Sequence, residues 1–221
     1  MRWFFKKYKL TFSFAVLCGL LLSSHSAVAQ KDTIEGEVTA YLNIHPKEEI
    51  SCDGYASLYY KKNFYQVRYN YEDSKTFSFY YGRPIIYDKA FYLEFIPTMG
   101  VSVGNFTGIS PSFQVYSEIG RFEFFSSSQY SVCVTKPANS FFFNWTEALV
   151  KYKNILKLGA SCQVTSMYNA PHTEKADRTP VEIDAAVVAG VQYKRLYLCG
   201  YFYNFWKDTR YYTVGLTYNL K

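Results

Sequence analysis

Residues 91–104 decide the fold of this 221-residue chain; they read Phe-Tyr-Leu-Glu-Phe-Ile-Pro-Thr-Met-Gly-Val-Ser-Val-Gly. Large apolar side chains or proline occupy every odd position from Phe91 to Val103, while Glu94, Thr98 and Ser102 lie on the opposite face. A period of two predicts a β-strand. At about 3.4 Å per residue and a tilt of about 45°, this segment rises about 33 Å, enough to cross an apolar band of about 25 Å. Strands of soluble sandwiches are usually shorter, about 5 to 6 residues.

The same alternation recurs along the chain and predicts twelve strands. They are expected near 35–44, 55–61, 64–72, 76–82, 90–104, 107–118, 121–134, 140–152, 156–168, 181–193, 195–206 and 209–220. Tight turns are expected at 62–63, 105–106, 153–154 and 207–208, with longer connections at 45–54, 83–89, 135–139 and 169–180. The predicted fold class is therefore all-β: a single closed antiparallel transmembrane β-barrel of about 12 strands, with 10 or 8 as alternatives.

Composition supports this class and excludes others. Aromatic residues make up 20% of the chain and charged residues 19%, which does not suit a disordered or nucleic-acid-binding tail. A mean hydropathy of −0.15 is too polar for several membrane-spanning helices. The apolar face of the six clearest strands carries no Asp, Glu, Lys or Arg, and Tyr and Phe crowd the strand ends, as in the aromatic girdles of membrane barrels.

The first residues are expected to be a targeting segment. Four basic residues precede an apolar run at 10–22, and Ala27 and Ala29 provide the small side chains of a signal-peptidase site. We therefore predict two parts, a cleavable signal peptide at 1–29 and an outer-membrane barrel at 30–221. Cleavage removes four of the 24 basic residues and none of the 18 acidic ones, so the net charge falls from +6 to +2 and gives no reason to expect a nucleic-acid partner.

Together these features resemble the single-chain outer-membrane β-barrels of Gram-negative bacteria. The likeness lies in the signal peptide, the alternating strands and the last strand, Tyr212-x-Val214-x-Leu216-x-Tyr218-x-Leu220. Residues 68–72 (Arg-Tyr-Asn-Tyr-Glu) and 141–147 (Phe-Phe-Phe-Asn-Trp-Thr-Glu) are also similar to segments of uncharacterised members. The resemblance implies an outer-membrane location, contact with outer-membrane lipid, and assembly by the barrel-assembly machinery.

Charged residues on the polar register are the candidate functional groups. They are Arg68, Glu72, Glu94, Arg121, Glu123, Glu147, Lys151, Lys157, Glu182 and Asp184. Facing the lumen, such charges either line a narrow passive channel for a small polar solute or pair across the interior and fill it. The sequence therefore leaves open whether the protein is a channel or a structural barrel.

Enzymatic function is not expected, and no cofactor or metal site is predicted. His45 and His172 fall in predicted loops without a Ser/His or HExxH pattern. One alternative is a barrel hydrolase acting on lipid or peptide, for which His172 beside Glu174 and Asp177 is the best candidate. A soluble periplasmic β-sandwich or ligand-binding barrel is the other.

Two further predictions concern the prolines and the cysteines of the strands. Pro97 and Pro111 lie on the lipid-facing register of strands without a free edge, which predicts β-bulges beside them. Cys52, Cys133, Cys162 and Cys199 could form two disulfides in an exported protein or serve as small apolar residues in the strands.

Overall fold

The computed structural model describes residues 34–46, 49–167 and 181–220, and these residues form one antiparallel sheet. A short 3-10 turn, Pro137–Asn139, interrupts one loop. The strands are β1 (Glu35–Ile44), β2 (Ser51–Tyr60), β3 (Asn63–Tyr69), β4 (Phe77–Gly82), β5 (Ile85–Asp88), β6 (Tyr92–Val103), β7 (Gly108–Ile119), β8 (Phe122–Cys133), β9 (Phe141–Tyr152), β10 (Leu156–Met167), β11 (Val181–Tyr193), β12 (Leu196–Tyr203) and β13 (Tyr211–Leu220).

The sheet closes into a barrel. Each strand pairs with its neighbour in sequence except β4 with β5, β1 pairs with β13, and β4 completes the circle by pairing with β6. Both β4 and β5 pair with β6 in one continuous register, from Phe77 opposite Val103 to Asp88 opposite Tyr92. They form a single interrupted strand, so the circumference is twelve strands. This confirms the predicted fold class; β5 itself was missed, because 83–89 was taken as a connection.

The two prolines are accommodated without bulges, so that prediction is wrong. Pro97 lies in the gap between β4 and β5, and Pro111 lies where pairing of β7 with β8 lapses between Ile109 and Ser112. The register is the same on both sides of each gap, so neither strand carries an extra residue. Because proline lacks the N–H that a backbone hydrogen bond between strands would use, the backbone pairing is interrupted at each proline without a bulge.

The two ends of the barrel differ in the length of their connections. At the end that holds Glu35 and Leu220, here called the terminus end, the strands are joined by two or three residues, at 61–62, 89–91, 120–121, 153–155 and 194–195. At the other end, the loop end, the connections 45–50, 70–76, 134–140 and 204–210 are longer. Outer-membrane barrels have short periplasmic turns and long external loops.

The outer surface is apolar. Its exposed side chains include Phe79, Met99, Val101, Leu198 and Val214. Partners on neighbouring strands share a face, and on this face Val101 lies opposite Phe79 and Ile109. So large an apolar surface is what a bilayer covers. Its polar side chains on β8 and β9 hydrogen-bond to one another; they are Ser126, Ser128, Asn144 and Thr146. Within the described residues, no helix has the length and hydrophobicity needed to cross a membrane.

Substituting Met99 by Arg tests whether lipid covers this surface. Met99 lies near the middle of β6 and is 55% exposed. In a bilayer, we expect Met99→Arg to lower the free energy of unfolding by about 2–4 kcal/mol. On a soluble barrel, the same surface substitution would change it by no more than about 0.5 kcal/mol. Denaturant unfolding of the barrel in lipid vesicles measures the difference, with Met99→Leu as the control; an Arg variant as stable as the Leu variant would argue for a water-facing surface.

Two groups of predicted features stay untested by the fold. The signal peptide at 1–29, including Ala27 and Ala29, lies outside the described residues, as does the loop with His172, Glu174 and Asp177.

The four cysteines at 52, 133, 162 and 199 are free thiols. Cys133 and Cys199 are buried inside the barrel, whereas Cys52 and Cys162 are partly exposed, so they serve as small strand residues.

Candidate functional site

A buried charged layer crosses the lumen near the loop end, and Arg68 of β3 is its centre. Only 3% of the Arg68 side chain is exposed. Its Nη1 donates a 2.6 Å hydrogen bond to Gln129 Oε1 of β8, and its Nε donates one of 2.7 Å to Gln66. Strands β4, β6 and β7 separate β3 from β8 around the wall, so the bond to Gln129 bridges the interior.

The carboxylate of Glu72 completes this layer. Glu72 follows β3 in the 70–76 loop, not in the strand as predicted, and its side chain is fully buried. It lies 3.6 Å from Arg68 and accepts hydrogen bonds from the hydroxyls of Tyr80, at 2.7 Å, and Ser78. Arg68 also stacks on the rings of Tyr71 and Tyr80, 4.7 and 4.0 Å from their centroids. We call Arg68, Glu72, Tyr71, Tyr80 and Gln129 the Arg68 layer.

An aromatic contact crosses the lumen on the terminus-end side of this layer. Tyr41 of β1 and Trp145 of β9 meet edge to face with centroids 5.4 Å apart, although four strands separate them around the shorter side of the wall. Tyr201 packs against both rings, at 6.3 and 6.0 Å. Edge-to-face pairs at these distances are favourable beyond the area they bury. The interior is therefore partly filled by aromatic side chains.

A second ionic cluster lies at the terminus end. Lys157 Nζ is 2.7 Å from Glu123, and Lys151 Nζ is 2.5 Å from Glu118 and 3.4 Å from Glu123. The Tyr116 hydroxyl donates to both glutamates at 3.2 Å. Both lysines of this cluster are thus paired with carboxylates one or two strands away around the wall.

Between the two ionic groups lies a cavity of about 760 Å³. It reaches Glu35, Asn219 and Leu220 at the terminus end and extends inward to Arg68 and Tyr71. A smaller cavity of about 340 Å³ shares Glu35, Tyr59 and Glu94 with it at the same end. The described residues therefore form a pocket that opens at the terminus end and ends at the Arg68 layer.

Carboxylates and tyrosines dominate the pocket wall. Its acidic residues are Glu35, Glu37, Glu94, Glu123 and Glu147, and its tyrosines include Tyr41, Tyr55, Tyr59, Tyr116, Tyr197 and Tyr201. Glu94 accepts hydrogen bonds from Tyr92 at 3.3 Å and Tyr59 at 3.5 Å. Two buried atoms of the wall, Glu147 Oε1 and the Tyr197 hydroxyl, have no hydrogen-bond partner in the described part of the chain.

Three of the predicted lumen charges belong neither to the pocket nor to the two ionic groups, and of these only Arg121 leaves the inward register, which Glu182 and Asp184 keep at the loop end. Arg121 is exposed in the turn that follows Gly120, whose φ of 61° ends the strand, so its assignment to the lumen was wrong. Glu182 is exposed near the loop end. Asp184 also lies near the loop end, away from the pocket, where it accepts hydrogen bonds from Asn204 at 2.5 Å and Tyr211 at 3.3 Å.

The sequence prediction omitted several residues that line the pocket. Glu37 alternates with Val38 and Ala40 on β1, so the period-two pattern could have placed it inward. Tyr41 and Trp145 follow the same register, but aromatic residues were assigned to the lipid-facing girdles. The alternation would have placed both residues inward, but most aromatic residues were explained by the lipid-facing surface and the girdles.

Among the described residues, His45 is the one histidine, and it lies outside the pocket. No group of three His, Cys, Asp or Glu that could hold a metal occurs among residues 34–46, 49–167 and 181–220. His45 lies just beyond the end of β1, stacked on Tyr211 with ring centroids 4.5 Å apart. The lining of the lumen pocket is therefore mainly acidic and aromatic.

No protein-family model matches this chain, and no curated protein matches it. Among solved structures, the chain is similar to the outer-membrane expressed OmpT of Vibrio cholerae, with 9% sequence identity and a TM-score of 0.39. The match covers 88% of this chain and 99% of that chain. At this level of similarity, the function of the barrel has to be inferred from its own residues.

Proposed function

We propose that the protein is an integral outer-membrane β-barrel that is closed toward the cell exterior and open, as a binding pocket, toward the periplasm. The closed circle of twelve strands and its apolar outer surface support membrane insertion. The short turns beside Glu35 and Leu220 support a periplasmic terminus end.

One observation carries the closed form: the Arg68–Gln129 hydrogen bond across the lumen. An open channel selects solutes with charges that face water in the pore. Here, Arg68 and Glu72 face each other instead, buried among tyrosines. Of the two roles that lumen charges can take, filling the interior agrees better with this arrangement than lining a passive channel.

The pocket would allow the closed barrel to bind a small molecule. Binding sites for small molecules typically enclose about 300–1,000 Å³ and combine apolar walls with a few placed polar groups. The cavity has this size, and its aromatic wall carries isolated carboxylates. A barrel of this kind would bind a small periplasmic molecule without conducting it across the membrane.

Cysteine labelling of intact cells tests the orientation. Asp208 lies in a long loop and Arg121 in a short turn, and both are exposed. We expect a membrane-impermeant maleimide to label Asp208→Cys on intact cells and Arg121→Cys only after the outer membrane is permeabilised. The unmodified protein gives the background from its own cysteines. The reverse pattern would place the pocket on the outside, and equal labelling in a soluble fraction would contradict membrane insertion.

A further inference from the structure

The pocket carries an excess of negative charge. Five glutamates line it, against the two cations Arg68 and Lys157. Both cations are already paired, Arg68 with Glu72 at 3.6 Å and Lys157 with Glu123 at 2.7 Å. In the described structure, no Lys or Arg forms an ion pair with Glu37, Glu94 or Glu147. A cleft lined by one sign of charge and walled by protein concentrates ligands of the opposite sign.

Glu147 marks the place where a ligand would be anchored. Among residues 34–46, 49–167 and 181–220, no group donates to its buried Oε1 atom or bonds to the buried hydroxyl of Tyr197. Both residues belong to the pocket wall. A buried acceptor without a donor destabilises the fold, and a ligand that donates to it removes that penalty. The missing partner of Glu147 Oε1 is therefore a hydrogen-bond donor, and a cationic donor satisfies both the carboxylate charge and the lone pair of that atom.

The aromatic wall favours an organic cation over a metal ion. Trp145, Tyr41 and Tyr201 pack together in the pocket wall. Tyr201 and Trp145 also lie within hydrogen-bonding distance of the Glu147 carboxylate, whose Oε1 still lacks a partner in the described part of the chain. Ring faces attract ammonium and guanidinium groups, and most strongly where water is excluded. Within the described ranges, the carboxylates are not gathered into a group that could hold a metal. Separate carboxylates on an aromatic wall suit a cationic head on a larger, apolar body.

We propose that this pocket binds a small organic cation, an ammonium or guanidinium group on a flat apolar body, with Glu147 as the anchoring carboxylate and Trp145 and Tyr41 as the aromatic wall. The ligand enters from the periplasmic side, and to that extent the inference rests on the proposed function. Its chemical class follows from the pocket alone.

Titration calorimetry on the purified, folded barrel in detergent tests this inference with three probes of one shape. They are benzylammonium, the neutral benzyl alcohol and the anionic benzoate. We expect benzylammonium to bind at least tenfold more tightly than either of the others. Glu147→Gln should weaken benzylammonium binding at least tenfold, because a charged partner is replaced by a neutral one of similar shape. Glu182→Gln, which removes an exposed carboxylate near the loop end, should change it less than twofold.

Heat-modifiable gel mobility verifies the fold of every variant, and Glu94→Gln serves as a second pocket variant if Glu147→Gln does not fold. Benzyl alcohol or benzoate binding as well as benzylammonium would overturn the ligand class. Unchanged benzylammonium binding in Glu147→Gln would overturn the anchor. The absence of binding by all three probes to a folded, non-conducting barrel would overturn this inference and leave the closed barrel in place. An ion current through the unmodified barrel would overturn the proposed function whatever the calorimetry gives.

Discussion

Replacing Arg68 and Glu72 together by alanine is expected to turn a silent barrel into a conducting one. The cavity already runs from the terminus end to Arg68 and Tyr71. Truncating the two charged side chains removes the ionic bridge that ends it, and removing both leaves no unpaired buried charge behind. A barrel of this circumference is wide enough for a narrow water-filled path once side chains no longer cross it.

Planar-bilayer recording measures this change. The Arg68→Ala/Glu72→Ala variant should give discrete current steps that the unmodified barrel does not give. Arg121→Ala, which removes an exposed arginine from a short turn, is the matched control and should stay silent. A silent double variant that folds normally would mean that other side chains close the lumen.

Replacing Arg68 alone by methionine should destabilise the barrel strongly. The Glu72 side chain is fully buried, and Arg68 is its only ion-pair partner among the described residues. Removing one member of a buried ion pair costs about 3–5 kcal/mol, because the remaining charge has no compensation. The hydroxyls of Tyr80 and Ser78 would still contact Glu72 but carry no charge.

Urea unfolding in lipid vesicles measures the loss, and a double-mutant cycle assigns it. Arg68→Met/Glu72→Gln should recover most of the stability, since neither remaining group is charged. If the single and double variants lose the same stability, the effect comes from lost packing against Tyr71 and Tyr80 and not from the ion pair.

The barrel itself could be predicted from the sequence because its pattern is local. In β6, Phe95, Met99 and Val101 alternate with Glu94, Thr98 and Ser102, and a period of two assigns each to a face wherever the strand pairs. Strand β5 escaped because Pro84 breaks the pattern and only Ile85–Asp88 follow, which is too short for alternation to be distinguished from a connection.

The contacts within the lumen could be predicted only in part. The inward register of Arg68, Glu94 and Glu123 follows from alternation. That Arg68 meets Gln129, or that Tyr41 meets Trp145, depends on which strands face each other once the sheet has closed, and no local pattern carries this. Arg121 was misplaced for a related reason: alternation continues into the turn, but Gly120 has already turned the chain.

The conductance of the unmodified, folded barrel in a planar bilayer tests the closed lumen most directly. The cross-lumen bond from Arg68 to Gln129 and the buried Glu72 beside it predict no current above the bilayer background over a wide range of voltage. Stable, reproducible current steps from this unmodified protein would contradict the closed barrel and favour a solute channel.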